Sequence, residues 1–274
     1  MSKSIHWSVY PLAILFILAN AYFTYHEIYY LNLIPVALIV VYAALFKIEQ
    51  LFVLLAFCTP LSINIENWTD GFGLYLPTEP ILFGIMLLFI VHQIHKNRLE
   101  NDIWKHPIIW AVGAHILWLL FTSLLSTDIL VSFKFMLSRL WFIIPILLFG
   151  THVFKKEKNI KRYIWCYIIG LFLVVAYTLF MHGLEGFSEE AGHEAMWPFF
   201  KDHTSYGAIL AMIYPLIIGL FFSKKQSPLV VAILIILFVV FTIGIYFSYT
   251  RAAWLSLAAA FGVWILIKLK IKFE

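Results

Sequence analysis

Apolar runs separated by short polar breaks fill this chain from residue 8 to residue 268. A helix rises about 1.5 Å per residue, so about 20 apolar residues carry it across the hydrocarbon of a bilayer. On that measure the runs predict spans at 8–26, 29–46, 50–64, 79–95, 107–125, 139–154, 163–182, 204–223, 228–247 and 252–268. The expected fold is all-α: a polytopic transmembrane helix bundle of about 10 spans, forming a single domain over 1–274. The third run is short and holds Pro60, so a kinked or partial crossing is expected there. The first run leads straight into the second without a small-residue cleavage site, and reads as a retained helix.

Composition strengthens this reading. Of 274 residues, 63% are hydrophobic and 12% charged, against about 25% charged in a soluble domain. So few charges cannot coat a globule in water, and a soluble fold is excluded. Two cysteines, Cys58 and Cys166, cannot make a disulfide framework.

Charge sets the orientation. With the N-terminus inside and ten spans threaded in order, 15 of the 19 basic residues fall on the inner side. The other four, Lys134, Arg139, Lys201 and Arg251, fall outside. Basic residues gather on the cytoplasmic side of membrane proteins, so both termini are expected in the cytoplasm. The net charge of +4 then follows from topology, and no nucleic-acid partner is implied. Outer loops are expected at about 64–78 and 183–203, and any chemistry faces outward.

The four outward cations break the charge pattern and need a reason. Arg251 lies in FSYTRAAWLSLAAA, between two apolar runs with almost no loop. An arginine near hydrocarbon is costly, and its guanidinium can grip two phosphate oxygens at once. Ser248, Tyr249 and Thr250 add hydroxyls at the same level, which together suggest an anion pocket; snorkelling to lipid headgroups is the plainer alternative. Lys134 and Arg139, five residues apart, stand at the expected mouth of the sixth span, as anion ligands or headgroup anchors. On a helix they would point about 140° apart.

The segment MWPFFKDHTSYGAILAMIYP crowds Lys201, Asp202, His203, Thr204, Ser205 and Tyr206 before a span. Asp202 or Thr204 suits a helix cap, and His203 is the candidate proton carrier. His193 sits in an acidic outer loop with Glu189, Glu190 and Glu194, and His115 is expected to hydrogen-bond inside the bundle. The histidine spacing does not suit zinc, so no metal is expected, nor any cofactor. The chain has no phosphate-binding glycine loop, no HExxH and no GxSxG.

Two segments, FFKDHTSYGAILAMIYPLIIG and FSYTRAAWLSLAAAFGVWIL, resemble the O-antigen ligase and polymerase family of bacterial envelope enzymes. That family has an S-x-[ST]-R-[GA]-x-x-L-like motif, matched here by Ser248, Tyr249, Thr250, Arg251, Ala252, Ala253, Trp254 and Leu255. About two spans upstream it has an aromatic and polar start, here Phe200 to Gly207, before an apolar run with a proline, here Pro215. The resemblance covers about residues 120–268. It implies a bacterial inner-membrane glycosyltransferase acting on a polyprenyl-diphosphate-linked glycan at the periplasmic face, with a lipid or glycan acceptor. Arg251 would contact the diphosphate and Arg139 would assist.

The family pattern continues into a large periplasmic segment with a functional histidine, which these 274 residues do not match. By the resemblance the expectation is therefore a truncated or split relative, inactive alone. Two other classes stay open at this point: a transporter or flippase for an anionic or lipid-linked solute, and a non-catalytic subunit of envelope assembly. The first calls for charges deep within several spans, and this chain has few.

Overall fold

The computed structural model describes residues 9–27, 31, 34–35, 38, 42, 46–66, 73–96, 104–223 and 226–270. The expected span at 29–46 lies mostly outside these residues, as does the centre of the outer loop at 64–78. The chain forms two compact units, Met1–Leu51 and Phe52–Glu274.

The first unit holds helix α1, Val9–Tyr25. Ile14, Leu15, Ile17, Leu18 and Tyr22 are all exposed on it, too wide an apolar surface for a helix with one wet face.

Helix α2, Ile48–Cys58, starts at the end of the first unit and runs into the second. It stops two residues before Pro60, whose ring disfavours helical geometry in the residue ahead of it. The expected span at 50–64 is thus a short helix followed by a turn and a two-stranded ladder. In that ladder β1, Ile63–Asn64, pairs antiparallel with β2, Tyr75–Leu76, joining Ile63 to Leu76 and Asn64 to Tyr75. Helix α3, Thr78–Lys96, follows at once.

Six helices are long and apolar enough to cross a membrane among the described residues. They are α4 (Pro107–Leu124), α5 (Ile129–Val153), α6 (Glu157–Leu184), α7 (His203–Phe221), α8 (Pro228–Tyr246) and α9 (Arg251–Lys268). Their exposed faces are built of leucine, isoleucine, phenylalanine and tryptophan, as Leu117, Trp118 and Phe121 show on α4. Water does not tolerate that surface and lipid does. The protein is an all-α, multi-pass membrane helix bundle.

Helix α5 corrects one sequence expectation. The apolar pattern placed a span at 139–154, with Lys134 and Arg139 at its mouth. The helix instead begins at Ile129, where Asp128 caps it by accepting from the Val131 amide at 3.1 Å. Polar side chains are absorbed on the way: the Ser138 hydroxyl donates back to the Phe135 carbonyl at 2.7 Å. Arg139 therefore lies ten residues along the rod, about 15 Å from its start. Pro145 cannot donate to the preceding turn, and the helix widens to a π-helical stretch over Ile144–Phe149 before closing again.

The core lies among α6, α7, α8 and α9. Ile168, Leu171 and Val175 of α6 meet Tyr206, Leu210 and Ile217 of α7, with Phe241 of α8 and Leu257 of α9. A second cluster surrounds Phe52 of α2, whose ring meets Phe149, Phe154 and Tyr163 at centroid distances of 5.5, 5.7 and 5.6 Å. Helices α4 and α5 stand at the rim with few of their residues buried, whereas α7 buries seven residues between Tyr206 and Ile217.

Candidate functional site

Helices α6 and α8 finish, and α7 and α9 begin, at one end of this four-helix core. The two polar segments singled out in the sequence meet there. The turn from α8 to α9 is tight: Phe247 to Thr250 are all that separate the helices. Tyr249 sits at φ 50°, the left-handed region that a side chain with a β-carbon enters at a cost of about 1–2 kcal/mol. Its ring and hydroxyl hold it there. The hydroxyl donates to the Phe187 carbonyl at 2.9 Å. The ring lies so close to Gly192 that a β-carbon there would come within 2.7 Å of it. Only glycine permits that approach.

Ser248 and Thr250 are buried and spent on structure. The Ser248 hydroxyl donates to the Ile245 carbonyl at 2.7 Å, closing the end of α8. The Thr250 hydroxyl reaches across to the His203 carbonyl at 2.9 Å and lies 3.0 Å from the Ser248 carbonyl. Gly207, one turn into α7, packs against the same residues: a β-carbon there would sit 2.7 Å from Thr250 Cβ. The start of α7 and the start of α9 are thus in backbone-level contact.

This contact leaves the start of α9 without a side-chain cap, although the Ala253 amide donates to the Thr250 carbonyl at 3.1 Å. Thr250 is the N-cap residue by position, yet its side chain makes no cap hydrogen bond. Its hydroxyl is engaged with His203 instead. The first amides of a helix have no partner within the helix and point outward at its positive end. Arg251, the first residue of α9, is exposed there. Cation and helix start together present a surface suited to an anion.

Helix α7 is different, since Asp202 already supplies the anion. One carboxylate oxygen accepts from the Ser205 amide at 2.7 Å and from the Thr204 hydroxyl, and the other accepts from the Ser205 hydroxyl at 3.1 Å. These donors, the Thr204 hydroxyl first and the Ser205 amide next, hold the Asp202 carboxyl below its ordinary pKa. Asp202 is a cap, the structural role foreseen for it. Lys201 is exposed just ahead of it.

His203 is half-buried, and its ring stacks on that of His193, centroids 4.1 Å apart and planes 15° from parallel. The sequence reading treated His193 as part of a solvated acidic loop, and the fold folds that loop back over the α7 start. Among the described residues no group of three or more His, Cys, Asp or Glu side chains is placed to hold a metal ion.

His182 is the residue that sequence reasoning missed. It is 1% exposed at the end of α6, and its ring meets the edges or faces of Phe187, Phe247 and Tyr249. Its Nε2 lies 2.7 Å from the Ser188 carbonyl. A carbonyl only accepts, so Nε2 carries the proton. His182 thereby ties the end of α6, the 185–202 loop and the α8–α9 turn together. The signal available was a histidine beside Gly183 and Gly186, at the point where a span gives way to a loop.

Lys134 and Arg139 both lie on α5. Helix α5 packs against α3 and α4. Lys134 is close enough to Glu79 of α3 for their charges to attract. The Arg139 guanidinium sits 4.8 Å from the centroid of the Phe135 ring, one turn back on its own helix. The site that the structure assembles contains Arg251, Lys201, His203, Ser248, Tyr249, Thr250 and Asp202. His115 is also displaced from its expected role: it lies on the exposed side of α4.

No protein-family model, curated protein or solved structure matches this chain.

Proposed function

We propose that the protein is an O-antigen ligase- or polymerase-like glycosyltransferase of the bacterial inner membrane, acting on a polyprenyl-diphosphate-linked glycan at the periplasmic face. In this reading the chain crosses the membrane about ten times with both termini in the cytoplasm, as the distribution of lysine and arginine favours. One observation carries the proposal. The uncapped start of α9, with Arg251 exposed on it, is held against the Lys201–Gly207 segment by the Thr250–His203 hydrogen bond.

The chemistry follows from that placement. A lipid-borne diphosphate lies at the bilayer surface and leaves as an anion when the glycan is transferred. Arg251 and the first amides of α9 stabilise the charge that develops on the departing phosphate oxygen. Lys201 adds a second cation from the neighbouring segment. The His193–His203 pair stands beside this surface, and His203 takes the proton from the acceptor hydroxyl as the glycosidic bond forms.

The test is glycan transfer by the purified 274-residue protein, given a polyprenyl-diphosphate oligosaccharide and a lipid acceptor. Transfer is expected from the chain alone or once the periplasmic region of an O-antigen ligase is added, and it should disappear in Arg251→Ala. If there is no transfer alone or with the periplasmic region of an O-antigen ligase added, the enzyme reading fails.

A further inference from the structure

At the far end of α9, about 26 Å along the helix from Arg251, a second feature stands apart from the site described above. An apolar groove of about 220 Å³ runs between α7 and α9. Its α7 wall is a stripe at helical spacing, Pro215, Ile218, Gly219 and Phe222. Its α9 wall is Ala260, Phe261 and Trp264. Gly219 and Ala260 create the space: a β-carbon placed on Gly219 would meet nothing within 4 Å. One turn beyond Trp264, Lys268 folds its ammonium back over the indole, 4.8 Å from the ring centroid.

A groove of that volume is too small to take in another helix, whose diameter with side chains is about 10 Å. It suits a single linear hydrocarbon chain. The position of the cation then selects the ligand, because a lysine beside a tryptophan at a helix end sits at headgroup level. We propose that this groove binds an anionic phospholipid, one acyl chain lying between α7 and α9 and the phosphate held by Lys268. The inference is independent of the glycan reading, since it involves neither Arg251 nor its surroundings.

Native mass spectrometry of the full chain, released from detergent after equilibration with phosphatidylglycerol or phosphatidylcholine of the same chain lengths, tests it. One cation near a headgroup is worth about 1 kcal/mol, so the wild type should retain phosphatidylglycerol about fivefold more than phosphatidylcholine. Lys268→Gln should abolish that preference. Gly219→Leu, whose β-carbon enters open space and whose side chain occupies the groove, should lower retention of both lipids while leaving the helical circular dichroism unchanged. Equal retention of the two lipids by the wild type would overturn the proposal. So would unaltered retention in Gly219→Leu, or a second copy of the chain in place of lipid.

Discussion

The Thr250 hydroxyl donates to the His203 carbonyl at 2.9 Å, and this one bond joins residues 47 positions apart at the starts of two helices. Thr250 is 5% exposed, so the bond is shielded from water. Thr250→Val keeps the shape and removes the donor, at a cost of about 0.5–1.5 kcal/mol, the net worth of one such bond. The variant should melt at a lower temperature in detergent, and Thr250→Ser should recover most of the loss. Equal melting of Thr250→Val and wild type would mean that the bond carries no stability.

Gly207 makes a second prediction at the same junction. A methyl group there would press into Thr250 Cβ and Oγ1, at 2.7 and 2.8 Å. Overpacking of this kind costs about 1–3 kcal/mol. Gly207→Ala should therefore destabilise the protein, while Gly113→Ala, which meets nothing within 4 Å, should be neutral or slightly stabilising. Thermal unfolding of the two variants side by side decides the matter.

Asp202 gives a pH dependence with a definite sign. Its carboxyl is held below the ordinary value by the donors of the α7 cap. A carboxylate with a depressed folded-state pKa contributes stability above its unfolded pKa, and loses it as pH falls through the folded one. Wild type should thus weaken on the acid side. Asp202→Ala should be less stable by about 1 kcal/mol at neutral pH and lack that part of the acid decline. Asp202→Asn, which still accepts from the Ser205 amide, should stay nearer wild type at neutral pH and also lose the decline. Melting curves at several pH values below 5 would show it, and an unaltered acid limb in both variants would contradict it.

Much of this was readable in the sequence, and the reasons for the rest are physical. The spans at 107–125, 204–223, 228–247 and 252–268 match helices to within two residues, because long apolar runs can end only where backbone polarity meets water. Span 139–154 failed at its start because Ser132, Lys134, Ser138 and Arg139 look like loop residues. A helix carries such residues without breaking when their hydroxyls find partners close by, as Ser138 does at the Phe135 carbonyl and Ser132 at the Ser126 hydroxyl. Arg251 and the residues around it stood out by polarity alone. Their contact with α7 did not, since it runs through the carbonyl of His203 and the missing side chain of Gly207. His182 was hidden for the opposite reason: a lone histidine at the end of an apolar helix looks like any other core residue.

Topology follows from the proposed orientation. In a background lacking Cys58 and Cys166, single cysteines at Glu190 and at Lys158 should label oppositely with a membrane-impermeant maleimide. Glu190→Cys is expected to react in intact cells, and Lys158→Cys only after permeabilisation. The reverse pattern would place the Arg251 end in the cytoplasm.

The central claim is that Arg251, on the uncapped start of α9, holds the diphosphate of a lipid-linked glycan. Equilibrium binding of a polyprenyl-diphosphate oligosaccharide to wild type and to Arg251→Ala tests it most directly. Hydrogen bonds to a charged group contribute about 1.5–3 kcal/mol, so the alanine variant should bind at least about tenfold more weakly. Arg251→Lys, which keeps the charge but not the fork, should fall between them. Equal affinity of Arg251→Ala and wild type would contradict the account.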